Sequence, residues 1–151
     1  MFRRDGDRIV VELGEQERLV VALSLQVLAG VDSSPIGDPG RERLSYRAHP
    51  DDPEADERFR SLTGGMLHKA RADDRRTLAG SLQADSIDRD EAEAWMRVVG
   101  EARLVLATGL GIEDDGWEQD LNPEHAPREL LLLEYLGRIQ DALVRVLQMP
   151  G

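Results

Sequence analysis

Cysteine is missing altogether from the 151 residues. Its absence excludes disulfides, thiolate catalysis, a cysteine-based zinc site and direct thiol redox sensing. Aromatic residues are scarce, at 4%, so leucine, valine and alanine must fill most of a core. That composition favours packed helices over a β-sandwich, whose interior leans on aromatic and β-branched side chains. A long apolar run is also missing. The greasiest segment, Leu19 to Val31, contains Ser24 and Gln26 and is too short to span a bilayer. The opening MFRRDGDRIVVEL lacks the apolar centre and small-residue cleavage site of a signal peptide. A soluble, cytoplasmic protein is expected.

The chain is long enough to bury one core, and a single domain over 1–151 is expected. Hydrophobic residues make up 40% and charged residues 32%, with a formal net charge of −11. Such an acidic balance repels nucleic acid and anionic lipid at long range. The charge is uneven, however. Between Arg58 and Arg76 six basic residues (Arg58, Arg60, Lys69, Arg71, Arg75, Arg76) face only two acidic ones, Asp73 and Asp74.

Periodicity and turn chemistry predict a mainly α protein: a single-domain bundle of four to five helices with a small N-terminal β-hairpin over 2–13. Asp5-Gly6 is the expected hairpin turn, and Ile9 to Val11 carry the return strand's β preference. The hairpin must pack on helices or pair with another chain, because it is marginal alone. A first helix from Glu15 to Ala29, stopped by Gly30, is apolar around most of its circumference and should be nearly central. A helix over about Asp51–Gln83 carries two stripes: Phe59, Leu62, Met66 and Ala70, beside Leu67, Asp74, Leu78 and Leu82. Gly64-Gly65 weakens its middle by roughly 2 kcal/mol relative to alanines, which predicts a kink or break. A third helix spans Asp88–Leu110, with Asp88 and Glu91 as an aspartate-led capping box and Gly111 as its stop. A fourth, Arg128–Gln148, sets Leu132, Leu136, Ile139, Leu143 and Val146 at near-heptad spacing, a seam for the core or for a homodimer. Mobile loops are expected over about 32–50 and 113–127.

The string AHPDDPE, Ala48 to Glu54, resembles the opening of a zinc-deacetylase motif. Zinc needs three or four placed ligands; here Pro53 stands at the motif's glutamate position, and His68 and His125 have no ligand-spaced partners. The same residues make a helix start instead: Pro53 suits the first helical position, Asp52 the N-cap beside Asp51, and Glu54 the positive helix end. No metal and no cofactor is expected. Gly109-Leu110-Gly111 follows a helix, so it reads as a cap and not as a phosphate loop. No catalytic residue stands out. Residues 77–96, TLAGSLQADSIDRDEAEAWM, have a helix–turn–helix cadence, but Asp88, Asp90, Glu91 and Glu93 would turn negative charge toward DNA. The candidates for partner contact are Arg58, Lys69, Arg75, Arg76 and Trp117, the last a potential interface anchor in an acidic loop.

As a set, the motifs resemble an actinobacterial family of unknown function. They are Ala48-His49, Asp51-Asp52, Arg58-Phe59-Arg60, Glu91-Ala92-Glu93-Ala94-Trp95, RLVLATGLGI (103–112) and EYLGRIQDALVRVL (134–147). Asp51, Asp52, Pro53, Phe59 and Arg60 form its best marker. His49 and Arg58 depart from the tyrosine and glutamate usual in the family. The resemblance implies a cytoplasmic protein encoded beside the ClpS protease adaptor. One branch is described as oxidative-stress transcriptional regulators that act with a sigma factor and sense oxidation through cysteines, which this chain lacks. It thus implies a non-enzymatic regulatory or interaction protein with a sigma factor or polymerase as partner. A DNA-contacting transcription regulator is the alternative, ahead of an unrecognised small-molecule enzyme.

Overall fold

The computed structural model describes residues 1–32, 53–111 and 128–150; over 53–66 it describes the backbone, with Glu54 the one side chain included. Among these residues are three short strands and four helices. Strands β1 (Phe2–Asp5) and β2 (Arg8–Val11) pair antiparallel from Phe2↔Val11 to Asp5↔Arg8. The loop is therefore Gly6-Asp7, one residue later than expected. Gly6 has φ +61°, and among the described residues no non-glycine residue has positive φ. A turn on Asp5-Gly6 of the expected type would force Asp5 into the left-handed region. With Gly6 first, as in a type II′ turn, only the glycine needs to go there.

The hairpin finds its next partner within the chain. Strand β3 (Ser86–Ile87) joins β2 antiparallel, giving the order β1-β2-β3. The Arg8 guanidinium donates to the Ser86 carbonyl at 3.0 Å and to its hydroxyl at 3.0 and 3.2 Å. Ile9, Val11 and Ile87 turn inward and are buried. The turn of the helix–turn–helix cadence is thus built as a strand.

Helix α1 (Glu15–Asp32) continues past Gly30, which does not stop it. Helix α2 (Pro53–Ser81) starts on Pro53 as expected and runs unbroken through Gly64-Gly65. Helix propensity is a weak prior, and burial of Leu78 and Ser81 helps anchor the helix on its neighbours. Asp51 and Asp52 lie outside the described residues, as do both expected mobile loops except Asp32. Ala70, assigned to an apolar stripe, is exposed.

Helix α3 (Arg89–Gly109) is central, a place the sequence suggested for α1. It packs against all three other helices. The exposed faces of α1 explain the difference: Leu19 is 62% exposed, whereas Trp95, Val98, Val99 and Ala102 of α3 are fully buried. The capping box forms as expected. The Asp88 carboxylate accepts from Glu91 N at 2.8 Å, and the Glu91 carboxylate accepts from Asp88 N at 2.9 Å. At the other end Gly111 takes φ +70°, the left-handed conformation that closes many helices.

Helix α4 (Arg128–Gln148) lays Leu136, Ile139, Leu143 and Val146 into the intramolecular core, mainly against α3. Leu133 is buried in place of Leu132, which is only partly covered. The seam therefore serves the core. Close approach is possible because Gly100 of α3 and Gly137 of α4 flank a polar contact, Arg103 Nη1 to Gln140 Oε1 at 2.6 Å. A Cβ on Gly137 would stand 3.1 Å from the Arg103 guanidinium.

Two large polar side chains inside this core find partners, whereas the buried Ser24 hydroxyl has none among the described residues. Trp95 donates from Nε1 to the Ser81 hydroxyl at 2.8 Å and meets Phe2 edge-on, with ring centroids 6.2 Å apart. Arg18 of α1 is buried, and its guanidinium donates to four backbone carbonyls: Leu13 (3.2 Å), Val11 (3.3 Å), Leu82 (2.7 Å) and Ala84 (3.0 Å). It ties the β2–α1 connection to the α2–β3 connection. Replacing Arg18 by Met keeps the aliphatic stem but leaves those carbonyls without their donor. The expected loss is on the order of 3 kcal/mol, seen as a lower urea midpoint with an unchanged slope. Arg18→Lys should restore little, since a single ammonium lacks the planar fork.

Candidate functional site

The described half of α2 presents its charges to α1 and α3. On an antiparallel helix pair, residues three or four apart form one face, so Arg71, Asp74 and Arg75 meet Arg97 and Glu101 of α3. Arg97 grips Asp74 with two hydrogen bonds, Nε to Oδ2 at 2.8 Å and Nη2 to Oδ1 at 2.9 Å. Arg71 Nε lies 3.6 Å from Glu101 Oε1. Arg75 pairs with Asp32 at the end of α1, and Arg76 pairs with Asp73 one turn back on α2. Asp74, read in the sequence as part of an apolar stripe, is instead the acceptor of an interhelical ion pair.

Glu101 is the most perturbed carboxyl of this face. Burial pushes its pKa up, and Arg71 and Arg75 pull it part of the way back. Its second oxygen, and Arg75 Nε nearby, are buried and have no hydrogen-bond partner among the described residues. The arrangement holds charge in place between helices.

The expected contact residues divide accordingly. Lys69 is exposed on α2; Arg76 is exposed but paired, and Arg75 is half-buried and paired. Arg58, Phe59 and Arg60 lie in the first half of α2, where the side chains fall outside the described residues, and Trp117 lies outside them too. The six-cation stretch is thus, in its described half, largely internally neutralised. Among the described residues no group of three or more His, Asp or Glu side chains is placed to hold a metal ion. The AHPDDPE string falls outside that description as far as Asp52. No helix among the described residues is long and apolar enough to cross a membrane.

A second surface escaped the sequence reading altogether. Two clefts flank the N-terminal end of α1. One, of ≈ 460 Å³, lies toward α4 and is lined by Gly14, Glu17, Val20 and Tyr135. The other, of ≈ 390 Å³, lies toward the end of α2 and is lined by Leu19, Ala22, Leu82 and Gln83. Glu15 and Gln16 border both. Glu17 also accepts from the Gly14 backbone N–H at 3.2 Å, closing the start of the helix. Burial, the charge of Glu17 and a hydrogen bond to that carboxylate push the Tyr135 hydroxyl's pKa up. The signal for this surface was present but muted: Arg18 stands directly before the apolar run that begins at Leu19, and it is Arg18 that turns inward while Leu19 is exposed.

Residues 1–147 match a family described as Domain of unknown function (DUF2017). No curated protein and no solved structure matches the chain.

Glu101 gives the charged face a pH signature. Its folded-state carboxyl titrates above the unfolded value, so the native chain binds more protons between the two values. Stability must then fall as pH rises from the ordinary glutamate range through the raised one. Urea unfolding at a series of pH values should show this decline, and Glu101→Gln should flatten it. An unchanged slope in the variant would assign the decline to another group.

Proposed function

The chain belongs to the DUF2017 family, and from that premise we propose that it is a non-enzymatic regulatory protein that works by binding another protein. The observation that carries this reading is the engagement of its arginines. Each arginine of the described half of α2 (Arg71, Arg75 and Arg76) faces a carboxylate of the same chain. Phosphate binding draws its affinity from cations free to replace counterions, whereas these are already paired within a chain of net charge −11. A basic protein surface is the partner that such a charge distribution attracts. The family resemblance points to the transcription machinery, with a sigma factor or a polymerase subunit as the partner and a stress response as the setting.

Affinity capture of the full chain from its native host, followed by mass spectrometry, tests this reading. Polymerase subunits, sigma factors or Clp components should be recovered; recovery of none of them would defeat it. A labelled DNA duplex tests the rival directly. Fluorescence anisotropy should show no salt-dependent binding, and Lys69→Glu with Arg76→Glu should change nothing. Binding that collapses with salt and disappears in that double variant would make the protein a DNA-contacting regulator.

A further inference from the structure

The two clefts beside α1 enclose a ridge whose chemistry limits what can cover it. Leu19 stands at its crest, 62% exposed, the most exposed of the large hydrophobic side chains described. Glu15 and Gln16 border it in front, both exposed, and Glu17 lines the cleft toward Tyr135. The only cation lining either cleft is Arg18, whose guanidinium is turned inward and spent on four carbonyls. The result is an apolar knob between two hollows, rimmed by the carboxylates of Glu15 and Glu17.

Resting on the interaction reading above, we propose that this ridge is the docking surface, and that its occupant is a basic segment of a partner protein with apolar side chains to fill the clefts. Charge complementarity selects that occupant. A second copy would set Glu15 and Glu17 against their own equivalents, because a two-fold contact joins identical patches, and like charges across an interface disfavour it. Nucleic acid and anionic lipid would meet the same carboxylates. A segment carrying lysine or arginine beside leucine-sized side chains would instead pair with the rim and bury Leu19. The ridge is also anchored underneath: Arg18 fixes the start of α1, and the Glu17 carboxylate accepts from the Gly14 N–H.

The full isotope-labelled chain, titrated with an amphipathic lysine–leucine peptide and followed by amide chemical shifts, tests the proposal apart from any native partner. Saturable shifts should concentrate at Gly14–Ala22, Leu82, Gln83 and Tyr135, and a glutamate–leucine counterpart should produce none. Leu19→Ser, an uncharged substitution at an exposed position, should weaken the peptide about tenfold, and Glu15→Lys should weaken it independently. Shifts centred elsewhere, equal binding of the acidic peptide, or unchanged affinity in both variants would overturn the assignment. Self-association in sedimentation that Leu19→Ser abolishes would overturn it in favour of a second copy. In the affinity capture, a partner retained by both variants sinks the ridge while leaving the interaction reading intact. Failure to capture any transcription or Clp component sinks that reading while the peptide titration still decides the ridge.

Discussion

A guanidinium buried at the foot of a helix must find acceptors inside the protein, and at Arg18 it finds four carbonyls. They belong to two chain connections far apart in sequence, one leaving β2 and one leaving α2. Neither is a helix or a full strand, so both hold carbonyls that regular structure leaves unpaired. One side chain satisfies them together. With the Val11 N–H donating to Asp85 O at 2.8 Å, this clamp places β3 beside β2 and seats the small sheet on the helical layer. The cost of burying the charge is offset by hydrogen bonds instead of a counter-ion, an arrangement suited to the planar five-donor fork of arginine.

Around that clamp the helices are registered by polar contacts and small residues as much as by apolar volume. Trp95 is the largest fully buried side chain among the described residues, and its N–H is answered by Ser81. Alanines at 92, 94 and 102, with Gly100 and Gly137, let the helices approach α3 closely. The Asp74–Arg97 and Arg103–Gln140 contacts then act like pegs at set heights along α3. Partly exposed ion pairs contribute little net stability. A shift in helix register would separate these partners and leave their charges and donors unmatched.

The same pairing changes how the protein meets others. Counted along the chain, Arg58 to Arg76 is a basic stretch; folded, its described half is matched by Asp32, Asp73 and Glu101. Asp32 and Glu101 come from α1 and α3, so of the three pairs only Asp73–Arg76 lies within a local window of sequence. Exposed acidic and apolar side chains stand together at the start of α1, at Glu15 and Leu19. Leu19 was legible as part of a hydrophobic run, but not as an exposed residue. Its direction depends on which neighbour turns inward, and Arg18 does so because the acceptors it needs converge only after the strands and α2 have assembled.

Much of the secondary structure follows from the sequence alone. The absence of cysteine and the shortage of aromatic residues, the Asp88–Glu91 capping box, Pro53 at a helix start, Gly111 at a helix end and the heptad-like spacing of α4 are local features. Their effects act over three or four residues through backbone hydrogen bonds and steric limits, so they can be read in place. The tertiary structure decided the rest: the recruitment of Ser86–Ile87 as a third strand, the central place of α3 over α1, the continuity of α2 through its glycine pair, and the conversion of a cationic stretch into interhelical ion pairs. Each of these depends on groups brought together from distant parts of the chain. Desolvation and hydrogen-bond satisfaction are settled among all the neighbours at once, and those neighbours exist only in the folded protein.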